Sequence, residues 1–189
     1  MLRGLLEKNR SYRRFYQDVS IPHQELVDLI ENARLSPSAR NLQPLKYLLV
    51  HEPKVASEVF TTLGWAGYLK EWSGPTEGER PAAYIIIVGD TSLTKQFGCD
   101  HGIASQSILL GAVEKGYGGC LIGALKRDKL RAVLEIAEQY EILLVVALGK
   151  PKEQVVLEEV ENDNIEYYRD AKQFHHVPKR SIAEIIINK

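Results

Sequence analysis

Residues 100–115 read DHGIASQSILLGAVEK, and the apolar positions of this stretch do not keep to one side. Ile103, Ala104, Ile108, Leu109, Leu110, Ala112 and Val113 go most of the way round a helical wheel, while Gly102, Ser105, Ser107 and Gly111 are small. A helix that is apolar on nearly every face must be covered on several sides. Asp100 is placed to cap its start. A chain of 189 residues can bury a core of its own. A helix wrapped this fully also suits a subunit interface, where a second copy supplies extra cover.

Other elements follow from periodicity. After Pro22, Leu26, Leu29, Ile30 and Ala33 recur at helical spacing, and Ser36-Pro37 ends the pattern because the residue before proline is pushed out of the α region. Residues 46–51 predict a strand, and Val55, Val59 and Leu63 a short helix after Pro53. Ala83 to Gly89 predicts a strand buried on both faces. Residues 116–125, GYGGCLIGAL, read as a glycine loop; Leu130, Val133, Leu134 and Ala137 then mark a helix, and 142–148 a further strand. Strands and helices mix without strict βα alternation, so the class is α+β. Residues 66–81 form a Gly/Pro-rich loop bearing aromatics, and 151–178 have almost no periodicity. So long a stretch without structure is unusual inside a compact domain, whereas an arm laid on a partner subunit would make its contacts there.

Bulk properties exclude several classes. The net charge of −1 gives no pull toward nucleic acid or an anionic membrane surface. Cys99 and Cys120 have no C-x-x-C spacing, as expected for a reducing compartment. The N-terminus has no secretory signature, and the runs YIIIVG and ILLVVALG are far too short to span a bilayer. A cytoplasmic protein is expected, with no nucleic-acid or membrane partner. The five histidines show no metal-binding spacing, and no G-x-S-x-G is present. Gly116 and Gly118 have Leu121 where a dinucleotide fingerprint needs its third glycine.

Three stretches carry donors for an anion. NRSYRRF (9–15) places Arg10, Ser11, Arg13 and Arg14 within five residues, a set of guanidinium forks and a hydroxyl suited to phosphate; a solvated basic helix end is the alternative. Lys179-Arg180 opens a terminal helix, against its dipole, which is favourable only with an anion nearby. Ser38, Asn41 and Gln43 sit in a loop pinned by Pro37 and Pro44, which is equally a well-made turn.

Taken in order, NRSYRRF, SPSARNLQP, GYGGCLIGAL, EILLVVALGKP and HVPKRSIAEII resemble the FMN-dependent nitroreductase family over nearly the whole chain. The resemblance implies one domain over 1–189, with a central, mainly antiparallel sheet flanked by helices. Residues 150–189 would form an extended C-terminal arm with a short terminal helix, lying on the partner of a homodimer. It implies FMN binding by Arg10, Ser11 and Arg13, with Lys179 and Arg180 closing on the phosphate. Pro37, Ser38, Asn41 and Gln43 would come from the other subunit, and Ile122 and Gly123 would lie along the flavin ring. Asn9 stands where the family often has a basic residue, and residues 64–81 match nothing in it. The implied activity is an NAD(P)H-dependent oxidoreductase: NADH or NADPH reduces FMN, and a nitroaromatic, quinone or similar small molecule then takes the electrons in ping-pong order. No side-chain acid or base is required, so no catalytic residue is named. The alternative is an FMN-binding carrier, sensor or interaction protein without NAD(P)H turnover.

Overall fold

The computed structural model describes residues 2–187; the outermost three positions of the expected unit lie outside the described residues. In chain order the elements are α1 (Leu2–Lys8), β1 (Phe15–Tyr16), α2 (His23–Arg34), β2 (Leu45–Val50), α3 (Pro53–Phe60), β3 (Ala83–Asp90), α4 (Asp100–Glu114), β4 (Gly118–Ile122), α5 (Arg127–Val133) and β5 (Tyr140–Pro151). There follow β6 (Val155–Glu159), β7 (Tyr168–Arg169), β8 (His175–Lys179) and α6 (Ile182–Ile185). The α+β class and the antiparallel central sheet are as the sequence implied.

The sheet runs β2-β3-β5, and β4 and the short β1 each pair with β5 as well; every pairing in it is antiparallel. All eight residues of β3 are buried, and strand alternation divides them between two helical layers. Ala83, Ile85 and Ile87 meet α2 and α4 residues such as Leu29 and Ile108, whereas Tyr84, Ile86 and Val88 meet Val59 of α3 and Leu130 of α5. The continuous apolar reading of this strand therefore reflects cover on both faces. A bulge at Leu143 shifts the β3–β5 register between Ile87 and Val88.

Several expectations are corrected. The glycine stretch is not all loop, since Gly118–Ile122 is β4. Gly119 is required there: a Cβ would lie 2.5 Å from the Ala147 carbonyl oxygen and 2.7 Å from Leu109, so only glycine lets β4 close on β5 and α4. The helix after it stops at Val133, with Glu135 at φ 50°, and does not reach Ala137. Asp100 does not cap α4; its carboxylate accepts from Ser38 Oγ at 2.6 Å and from the Ala39 N–H at 3.1 Å. The tail is not structureless either. Strands β6, β8 and β7 form a second, three-stranded sheet, with β6 and β8 parallel. Its low periodicity has a local cause, because the turns carry polar residues in left-handed conformation, Asn162, Asp163 and Gln173. A capping box between Ser181 and Glu184 starts α6, which leaves Ile182 68% and Ile185 60% exposed.

Candidate functional site

The chain from α1 to β1 meets the outer edge of β4 at a tight turn and is extended from there on. In that turn the Tyr12 N–H reaches the Arg10 carbonyl at 2.8 Å, which brings Arg10 to the side of Ser11. The Tyr12 N–H donates to the Gly119 carbonyl at 3.0 Å, and Ser11 pairs with Gly119 as a parallel bridge. Extended backbone sends alternate side chains to opposite sides. Arg14 goes one way and binds both carboxylate oxygens of Glu79, at 2.6 and 2.7 Å. Ser11 and Arg13 go the other way, with Arg10, into a cavity of about 310 Å³. Its remaining walls are Asn9; Gln106 and Leu109 of α4; Gly119 and Leu121 of β4; Tyr167 just ahead of β7; and His175, Val177 and Lys179 of β8.

The charges around this cavity are uncompensated. Among the described residues, ion pairs engage Arg14 and Lys152 with Glu79, Arg169 with Glu153, and Arg180 with Asp163 and Glu184, but none involves Arg10, Arg13 or Lys179. Arg10 Nη2 donates to the Leu6 carbonyl at 2.5 Å, yet its buried Nε has no partner among the described residues. Three cations converging on one cavity without a carboxylate partner among the described residues suit an anionic group. The donor set thus fits a phosphate-bearing group.

A second recess of about 170 Å³ adjoins the first through Arg13, Leu121 and Tyr167. Its floor is the outer edge of β4 around Ile122 and Gly123. That edge is paired at Gly119 by Tyr12 and again where the Gly64 N–H reaches the Ala124 carbonyl at 2.8 Å, and it is open between. Trp65, Ala66 and Gly67 form the opposite wall. The 64–78 loop is tied across to the second sheet: Tyr68 and Tyr167 meet edge-on with centroids 4.9 Å apart, and Arg169 lies 4.1 Å from the Trp72 ring.

Of the residues named from sequence, Arg10, Ser11, Arg13 and Lys179 meet in one cavity, and Ile122 and Gly123 line the adjoining recess. Pro37, Ser38 and Gln43 line a separate cavity of about 410 Å³ between α2, β2 and the start of α4, which shares no lining residue with the first. Asn41 is exposed in the same loop. That loop holds Arg40, Asn41 and Gln43 at φ 51°, 54° and 48°, left-handed conformations that each cost on the order of 1–3 kcal/mol for a non-glycine residue. Ser38 Oγ pins it, donating to Asp100 and accepting from the Gln43 N–H at 2.9 Å. Arg180 lines neither cavity and is engaged by Asp163 at 3.2 Å and Glu184 at 3.1 Å.

Sequence reasoning passed over Tyr167, His175 and Gln106. The pair His175-His176 was the available signal, because a strand there puts one histidine on each face. His175 is 1% exposed, and its pKa is pushed down to about 4 by burial, then by the charges of Arg13, Arg169 and His176. His176 faces outward to Glu158 and Asp170, and its pKa is raised chiefly by its hydrogen bond with Glu158. Among the described residues no group of three or more His, Cys, Asp or Glu side chains could hold a metal ion, and no helix is long and apolar enough to cross a membrane.

The Nitroreductase family model matches residues 6–150. The chain belongs to the Nitroreductase family. The match spans the central sheet, α2 to α5 and the Arg10–Arg13 wall, and ends before the segment that contributes Tyr167, His175 and Lys179. An Archaeoglobus fulgidus protein provisionally named NADH dehydrogenase/NAD(P)H nitroreductase is 28% identical over 149 residues, covering 75% of this chain and 80% of its own length. Two solved nitroreductase structures share the fold. An FMN-dependent nitroreductase of Clostridium difficile has a TM-score of 0.66 at 22% identity, over 86% of this chain and 92% of its own. A provisionally named nitroreductase of Exiguobacterium sibiricum, solved in complex with FMN, has a TM-score of 0.66 at 18% identity, over 81% and 89%.

Proposed function

We propose that this nitroreductase-family protein is an FMN-dependent oxidoreductase that takes electrons from NADH or NADPH and passes them to a nitroaromatic, quinone or similar small acceptor. The observation that carries the reading is the convergence of three uncompensated cations, Arg10, Arg13 and Lys179, on a cavity that continues into the open edge of β4. The names of the relatives and the FMN held by a structural neighbour support it. Bound FMN supplies a two-electron carrier between nicotinamide and acceptor.

The chain's own residues bind and orient. Arg10, Ser11 and Lys179 offer charge and hydrogen bonds to a phosphate, and Arg13, which borders both the cavity and the recess, can meet negative charge on the ring's polar edge. The edge at Ile122 and Gly123 presents backbone groups to the ring, and Trp65 to Gly67 with Tyr167 limit water and set which acceptor enters. The protein would act as a cytoplasmic homodimer, in which the pinned 37–43 loop of one protomer completes the site of the other. Its strained, polar, outward-facing conformation suits that role, since such strain collects at functional loops.

A second reading is a flavin-binding protein without nicotinamide turnover. It rests on the 64–78 loop, which is fastened over the recess at Tyr68 and Trp72. One experiment separates the two: the visible spectrum of the purified protein before and after anaerobic addition of NADH or NADPH. Bleaching of a flavin spectrum, followed by recovery with a quinone and parallel-line kinetics, is the result expected. A flavin spectrum that persists selects the second reading, and a protein that neither carries nor retains FMN rules out both.

A further inference from the structure

The Arg13 guanidinium is held from several directions. Its Nη1 donates to the Ser11 carbonyl at 3.2 Å and lies 3.3 Å from His175 Nε2, while its carbon sits 4.9 Å from the centroid of the Tyr167 ring. A guanidinium has only donors, so Nε2 must bring a lone pair to that contact, which puts the imidazole proton on Nδ1. That nitrogen is buried and without a partner among the described residues. An orphan buried donor is unfavourable, and leucine or phenylalanine at this site would avoid it, so the imidazole calls for an explanation beyond packing. The main chain of Arg13 is fixed independently, because its N–H donates to the buried Glu153 carboxylate, which also accepts from Arg169 Nη2 at 3.0 Å. What is left for the neighbours to set is the direction of the guanidinium.

We propose that His175 is a positioning residue: its neutral Nε2, together with the Tyr167 ring, aims the Arg13 guanidinium at the anionic group held in the cavity. This rests on the FMN reading of the site. Both residues lie beyond the 6–150 stretch that the family model matches. Tyr167 also packs against His175, with centroids 5.2 Å apart, so ring and imidazole brace one another as well as the arginine.

The test is a double-mutant cycle on protein stripped of flavin and titrated with FMN, read by quenching of flavin fluorescence, with a thermal melt of each variant. His175→Leu should weaken FMN binding roughly tenfold, the loss expected for one hydrogen bond to a charged group. His175→Gln, whose Oε1 can accept from Nη1, should restore most of it. In an Arg13→Ala background, His175→Leu should change the Kd less than twofold, because the group it positions is gone. A merely structural role predicts the same loss in both backgrounds and no rescue by glutamine. If wild type binds FMN and Arg13→Ala weakens it, but His175→Leu binds like wild type or loses equally in both backgrounds, the positioning role is overturned and the FMN reading stands. If wild type does not bind FMN, the underlying reading fails. Should His175→Leu not fold, Tyr167→Leu enters the same cycle, with the same criterion of non-additivity.

Discussion

Arg13 and Arg14 are adjacent in sequence and do opposite work, because extended backbone turns one side chain to the cavity and the other to Glu79. Arg13→Ala should weaken FMN binding about 10- to 100-fold, the cost of a charge-assisted contact, and leave the melting temperature nearly unchanged. Arg14→Ala should do the reverse, lowering stability by roughly 2 kcal/mol in denaturant unfolding while the folded protein keeps its FMN affinity. The hydrogen bonds from Arg14, aided by Lys152, hold the Glu79 carboxyl down at about 2. A carboxylate whose pKa is depressed by folding contributes stability that is complete above its unfolded pKa, about 4.3, and is lost as pH falls toward the folded value. Wild type and Glu79→Gln should therefore differ in melting temperature at pH 6 and converge as the pH approaches 2, in melts taken across that range. No such window is legible in the sequence, where Glu79 is one carboxylate in a polar loop.

At the scale of elements, Asp100 looks like a helix cap and serves as an anchor. The residue is 4% exposed and its carboxylate holds Ser38 and Ala39, so α4 fixes the loop that follows α2. Asp100→Ala leaves two donors unmatched and should cost about 1–3 kcal/mol, with faster amide exchange at Ala39 and Gln43 than in Asp100→Asn, which keeps an acceptor. Helices α2 and α3 were readable because their apolar residues follow a 3.6 period, and α4, β3 and β5 because they are long, nearly continuous apolar runs bounded by polar or glycine-bearing segments. Strand β4 was not: Gly119 is crowded by Ala147, Leu109 and Leu148, and Gly118 by Tyr12 and Pro151, and crowding is a fact about neighbours distant in the chain. Strands β6 to β8 were missed because each is at most five residues long and only partly covered, so alternation had no length in which to show.

For the whole molecule, the exposed isoleucines of α6 and the outward-facing 37–43 loop are surfaces that the proposed homodimer would cover. The wild-type protein should sediment as a dimer at micromolar concentration. Replacing Ile182 and Ile185 with serine should raise the dimer dissociation constant at least tenfold, measured by sedimentation equilibrium, since each side chain exposes well over half its surface in the protomer. A wild-type protein that sediments as a monomer would remove the partner-subunit role assigned to Pro37, Ser38, Asn41 and Gln43.

Residue order alone already settled the α+β class, the doubly covered strand at 83–89 and the clustering of Arg10, Ser11 and Arg13, because periodicity and local charge are properties of neighbours along the chain. Folding brought Lys179 to those arginines from the other end of the chain, took Arg180 away to Asp163 and Glu184, and placed His175 and Tyr167 on Arg13. Which cation stays uncompensated depends on which carboxylates arrive beside it, and that is decided by folding, which brings Glu79 to Arg14 across 65 residues and Asp163 to Arg180 across 17, and brings none into an ion pair with Arg13 or Lys179 among the described residues.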